Sequence, residues 1–140
     1  MAKTGGCLCG AVRFVGTGQP SGVQVCHCEQ CARWTGGPAM CVEFKDGIDI
    51  TGAVSWFASS PWAERGFCGA CGSGMFYRLK DTSYINVAAG FLDDRGDLAA
   101  IDQHIFIDRK PHYYDFADNA PRLTGDEFLK QMQSGQAGDV

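Results

Sequence analysis

No run of about 18 apolar residues occurs in this chain of 140 residues, so no membrane-spanning helix is expected. No basic cluster occurs either. Lys and Arg number 12 against 16 Asp and Glu, a formal net charge of -4, and nothing is arranged to neutralise nucleic-acid phosphates. Residues 1–6 hold no apolar run, which argues against a secretory leader. The expectation is a cytoplasmic protein, in which thiols stay reduced. Residues 1–116 contain no linker, charge block, low-complexity segment or internal repeat. A single domain over 1–140 with a modest core is therefore expected. Signals for long helices are also missing.

What the chain does have is glycine, 19 residues of it, and short runs of β-branched and aromatic residues between turns. Strands are predicted at 10–16, 23–26, 40–44, 48–50, 54–58, 75–79, 84–88 and 104–107. Val12 and Phe14 share one face of the first strand, with Arg13 on the other. Phe14, Phe44, Phe76 and Phe106 read as core. Trp56, Phe57 and Trp62, with Ser59-Ser60-Pro61 among them, read as a partly buried hairpin, with a pocket or a dimer face as the alternative. One helix start is clear. Thr124 followed by Glu127 is a capping-box pattern, and Phe128, Leu129 and Met132 form an apolar stripe. This predicts a helix over 124–133 and a frayed tail over 134–140. A very short helical turn fits after Cys28 and ends before Gly36-Gly37-Pro38. The fold class is all-β, a sandwich-like or barrel-like body with metal at its edge.

Cysteine is abundant, at 8 residues. Seven fall in three clusters: Cys7 and Cys9, then Cys26, Cys28 and Cys31, then Cys68 and Cys71. Cys41 stands alone. A disulfide across one intervening residue strains the backbone, and a reducing compartment disfavours disulfides altogether, so close spacing points to metal. A structural zinc takes four ligands in a tetrahedron. Cys68 and Cys71, with Gly72 free to take a positive φ, form a good knuckle. Cys7 and Cys9 share one side of an extended chain and form the natural second pair. Joining them staples a loop of about sixty residues.

The triplet differs, because three thiolates leave a tetrahedral zinc one ligand short. An open fourth position is the mark of a catalytic zinc. Two alternatives stay open: a closed site completed by His27 or Cys41, although His27 sits between Cys26 and Cys28 and is expected to point the other way, and metal-free or redox-active thiols. Cys41, on an apolar strand, fits a buried, inert thiol. An open tris-thiolate zinc favours the thiolate of an incoming thiol, and a thiolate adds to an aldehyde carbonyl. An anionic thiol such as glutathione calls for an arginine. Arg33, Arg65 and Arg13 are the candidates, each with a plain surface charge as the alternative. His27, His104 and His112 are candidates for a general base on residue type alone.

Gly6-Cys7-Leu8-Cys9-Gly10-Ala11-Val12, then Cys26-His27-Cys28 with Cys31, then Phe67-Cys68 with Cys71-Gly72-Ser73 resemble the glutathione-dependent formaldehyde-activating enzyme family, which includes centromere protein V. The likeness runs from about residue 5 to 122, with Asn86-Val87, Gly90, His104-Ile105-Phe106 and Lys110-Pro111 agreeing. The resemblance implies an all-β zinc fold of the β-tent kind. It implies a structural zinc on Cys7, Cys9, Cys68 and Cys71, and a second, catalytic zinc that responds to glutathione on Cys26, Cys28 and Cys31, where a three-ligand site is expected to bind more weakly and be labile. It implies a carbon–sulfur lyase acting in the direction of synthesis, forming S-(hydroxymethyl)glutathione from formaldehyde and glutathione. Family members often carry two basic residues after the triplet; here Ala32 precedes Arg33. The competing expectation is a non-catalytic zinc module that binds glutathione or a partner.

Overall fold

The computed structural model describes residues 2–136, which are mostly β-sheet. The strands are β1 (Ala2–Gly6), β2 (Arg13–Thr17), β3 (Val23–Cys26), β4 (Ala39–Val42), β5 (Ile48–Thr51), β6 (Val54–Ser60), β7 (Ala63–Cys68), β8 (Gly74–Leu79), β9 (Ile85–Ala88) and β10 (Ile101–Ile105). Two short α-helices, α1 (Glu29–Thr35) and α2 (Gly125–Gln131), accompany them. No helix among the described residues is long and apolar enough to cross a membrane. The chain divides into two compact units, each interleaved in sequence: residues up to Ser21 with Cys41–Ala99, and Gly22–Met40 with residues from Ala100 onward.

The first unit is a sandwich of two antiparallel sheets. One has the order β1-β2-β5; the other runs β4-β9-β8-β7-β6. Side chains alternate across a strand, so the register decides which residues meet. One row crosses the larger sheet through Trp56, Gly66, Phe76, Val87 and Val42. Phe76, Val87 and Val42 in that row are buried, and Phe14 of β2 meets Phe76 edge to face at 5.8 Å. Gly66 leaves room for the Trp56 ring, which a Cβ would approach to 2.8 Å. The neighbouring row, Phe57, Arg65, Tyr77 and Asn86, lies on the opposite face.

The second unit pairs β3 with β10 in parallel, Cys26 opposite Ile105. Val25, His104, Ile105 and Phe128 form its buried centre. Helix α2 starts as expected, with Thr124 Oγ1 accepting from Glu127 N–H at 3.1 Å and Glu127 Oε1 accepting from Thr124 N–H at 2.8 Å.

Several expectations are corrected. Strands β1 and β7 carry glycine and charge where propensity asks for β-branched residues, and were not legible. The first predicted strand begins at Arg13 rather than Gly10, because residues 7–12 are taken up by the cysteine turn. The last ends at Ile105. Phe106 is left-handed (φ 55°) and half-buried, opening a 3-10 turn over Ile107–Arg109 and packing against Phe128 and Gly125. Leu129 is exposed, so the apolar stripe of α2 is narrower than predicted. The helical path continues through a π-turn at Met132–Gln136, and residues 137–140 of the tail expected to fray over 134–140 lie outside the described residues.

Phe76→Ala removes the central ring of the first unit. It is expected to destabilise the protein by about 3–5 kcal/mol, read as a shift of the urea unfolding midpoint. Thr124→Ala removes the helix cap and is expected to cost about 1 kcal/mol by the same measurement.

Candidate metal centre

Two turns of the first unit bring four sulfurs together. Cys7 and Cys9 follow β1; Cys68 ends β7 and Cys71 lies in the tight turn leading to β8. All four sulfurs lie within 4.8 Å of one another. Cys7 Sγ is 3.7 Å from Cys9 Sγ, and Cys9 Sγ is 3.8 Å from Cys68 Sγ. A tetrahedral ion with zinc–sulfur bonds of about 2.3 Å has sulfur–sulfur edges of about 3.8 Å. The spacing and the donor set therefore fit zinc.

Local backbone explains the convergence. Gly10 and Gly72, both at positive φ (82° and 79°), close the two turns, donating N–H to Cys7 O at 3.2 Å and Cys68 O at 2.9 Å. Amides point at the sulfurs: Val12 N–H at Cys7 (3.3 Å), and Ala70 and Cys71 N–H at Cys68 (3.4 and 3.5 Å). Ser73, the last residue of the motif that holds Cys68 and Cys71, joins the two turns. Its Oγ accepts from Leu8 N–H at 3.2 Å and sits 3.1 Å from Cys71 Sγ, linking one turn to the other.

These contacts divide the thiols. Ser73, through side chain and backbone, pulls Cys71 down to about 5. The Val12 amide pulls Cys7 down. Cys9 rises to about 11: the Ala11 amide favours its thiolate, but Cys7 and Cys71 beside it outweigh that. Four converging thiols cannot all ionise without a cation between them.

The second unit holds Cys26, Cys28 and Cys31, again with sulfurs within 4.8 Å of one another. Cys26 ends β3, Cys28 is the N-cap of α1, and Cys31 lies in its first turn. Cys28 Sγ accepts from Cys31 N–H at 3.4 Å. Its thiol is pulled down to about 2, by Cys26 and Cys31 first and then by the amides of Cys31 and Gln30. Cys26 is pushed far up by Cys28 and Cys31 and by burial. Among the described residues no fourth Cys, His, Asp or Glu joins this group. Cys41 lies on β4, half-buried, outside both groups.

His27 does not turn toward the sulfurs. Its ring is buried, with Nδ1 2.8 Å from Tyr114 Oη and Nε2 2.9 Å from His104 Nδ1. His104 Nε2 lies 2.9 Å from Asp118 Oδ1, and the His104 side chain is completely buried. Burial, with neighbouring His104, Lys110 and Arg122 behind it, pushes His27 down to about 4. Residue type alone made His104 a general-base candidate, and Asp118 carried no readable signal; the fold alone brings both to residue 27. His112 is exposed.

Of the arginines, Arg13 is committed to Asp93 at 2.6 Å, and Arg33 is exposed on the last turn of α1. Arg65 is buried, its guanidinium 5.0 Å from the Tyr77 ring centre. In the same row Asn86 donates to Tyr84 Oη at 3.1 Å, while its buried Oδ1 accepts no hydrogen bond. Trp56 lies against Phe76 with Arg78 over its ring, whereas Phe57 and Trp62 are exposed, the arrangement of a partly buried hairpin.

The glutathione-dependent formaldehyde-activating enzyme family matches residues 2–109, which contain all seven clustered cysteines. The chain belongs to this family. Among relatives, it is 32% identical over 134 residues to an uncharacterized lyase of Schizosaccharomyces pombe (strain 972 / ATCC 24843), covering 91% of this chain and 95% of that protein. A crystal structure of a Rhodobacter sphaeroides protein superposes with a TM-score of 0.49 at 18% identity, over 70% of this chain and 97% of that one.

The depressed His27 value has a definite sign. Between an unfolded value near 6.5 and a folded value of about 4, the unfolded chain binds the extra proton and the folded chain does not. Stability contributed by the neutral, buried ring is complete above about pH 6.5 and falls as pH drops toward 4. Urea midpoints measured across that window are expected to slope more steeply for the native sequence than for His27→Phe in the same metal state.

Proposed function

We propose that this family member is a zinc-dependent carbon–sulfur lyase acting on thiol–aldehyde adducts, with S-(hydroxymethyl)glutathione formation from formaldehyde and glutathione as its reaction. The family membership and the lyase name of the fission-yeast relative support the reaction class. The observation that carries the reading is the inequality of the two cysteine groups, four converging thiols in one and three in the other.

Cys7, Cys9, Cys68 and Cys71 would hold a structural zinc. Zinc on such a site contributes about 10–16 kcal/mol, well above the roughly 4 kcal/mol of chain entropy for closing a sixty-residue loop. Cys26, Cys28 and Cys31 would hold the second, more labile zinc, leaving one coordination position for substrate. A metal ion there supplies Lewis acidity and favours the thiolate form of the substrate sulfur. In the addition, the glutathione sulfur forms a bond to the formaldehyde carbon, the carbonyl π pair moves to oxygen, and the thiol proton ends on that oxygen. The reverse direction is the lyase reaction. The chain's own share is to hold three sulfurs on one side, fixed by the Cys31 amide and the turn into α1. Cysteines that form no disulfide suit a reducing, cytoplasmic setting.

Elemental analysis should give two zincs per chain, with one responding to glutathione, and formaldehyde consumption faster than the uncatalysed rate. A single zinc that never changes, with no acceleration, would leave a zinc-stapled binding module instead. Cys28→Ser is expected to lose one zinc and the activity while keeping a native circular-dichroism spectrum. Cys71→Ser is expected to lose the fold. If Cys28→Ser unfolds equally, the triplet is structural and the catalytic reading is wrong.

A further inference from the structure

Between Cys26 and Cys28 the chain carries one side chain that leaves the sulfurs and enters the interior. The His27 ring stacks on His104 with centroids 5.2 Å apart and on Tyr114 at 5.7 Å, and Phe116 caps both histidines edge-on at 5.6 and 5.0 Å. The backbone is held at the same point, His27 N–H donating to Ile105 O at 3.0 Å.

The hydrogen bonds along this row have one consistent direction. The Asp118 carboxylate, which also accepts from Ala120 N–H at 2.9 Å, can only accept. His104 Nε2–H therefore donates to it, and in the neutral ring this leaves His104 Nδ1 as an acceptor. His27 Nε2–H donates to that nitrogen at 2.9 Å, which leaves His27 Nδ1 as an acceptor for Tyr114 O–H at 2.8 Å. His104 is pinned in turn by its own backbone, N–H to Pro121 O at 2.8 Å and O from Leu123 N–H at 2.9 Å. Every polar atom of both rings is thereby satisfied in a buried setting, where a different ring orientation would strand a donor or an acceptor.

We propose that His27, oriented by His104 and Asp118, is a positioning residue for the Cys26–Cys28–Cys31 group. It fixes the turn between Cys26 and Cys28 so that three sulfurs already converge for the metal. This rests on the reading that the triplet holds zinc. A ligand-bearing turn without such an anchor must be ordered by the metal itself, and the loss appears as affinity. Outer hydrogen-bond partners of metal ligands are typically worth about 10- to 100-fold in metal affinity, and an effect of that size is expected at the triplet.

Zinc-loaded protein titrated with a chelator tests this, with zinc released per chain followed colorimetrically. The native sequence should release zinc in two steps. Asp118→Ala and His27→Phe should each make the first step easier by about 10- to 100-fold and leave the second unchanged. Asp118→Asn keeps an acceptor for His104 and should restore near-native release. Folded variants with native release at the first step, or variants that weaken both steps equally, would overturn the positioning role. A native protein releasing a single zinc in one step would overturn the two-site reading with it. Should the Ala and Phe variants not fold, imidazole nitrogen chemical shifts of the native protein decide. Protons on Nε2 of both His27 and His104 support the proposal, and a proton on Nδ1 of either overturns it.

Discussion

Four sulfur atoms separated by under 4.8 Å impose the constraint on which the first unit depends. Cys9 and Cys68 are 59 residues apart in sequence, yet their sulfurs lie 3.8 Å apart. The turn after β1 and the turn between β7 and β8 must therefore meet. Ser73 ties those turns a second time, through Leu8 and toward Cys71. Phe14 and Phe76 meet within the same unit, so the sulfur cluster and the aromatic contact between the sheets constrain one another.

The two cysteine groups are built by different local means. In the first, sulfurs come from two turns closed by left-handed glycines, one pair of donors from each turn. In the second, three sulfurs come from a single short passage from strand into helix, spanning residues 26 to 31. A single passage offers few positions from which a fourth ligand can arrive. The one histidine within it is turned the other way by its own hydrogen bonds. The difference between a group of four sulfurs and a group of three thus follows from chain geometry before any metal is considered.

The buried polar row behind the triplet is costly unless complete. His27 and His104 are among the most buried residues of the protein, and an unpartnered ring nitrogen there would lose its full hydration. Completion requires residues from three places: β10, the segment around Tyr114, and Asp118. Such rows specify one arrangement because no partial version is stable.

Spacing alone made both cysteine groups legible, since thiolates one or two residues apart can share an ion and cannot comfortably share a disulfide. The capping box of α2 and the burial of Phe14, Phe44 and Phe76 were legible for the same reason: each rests on neighbours in sequence or on simple alternation. Strands β1 and β7 were not, because their glycines and charges are tolerated only through pairing partners far along the chain. Phe106 was misplaced because its left-handed backbone is fixed by packing on Phe128 and Gly125. That His27 turns away from the sulfurs was legible from its place between Cys26 and Cys28; what it turns toward was decided only by tertiary structure. Nothing near residue 27 reveals His104 or Asp118, 77 residues away in the first case, and hydrogen bonding in a buried site outweighs proximity to the sulfurs.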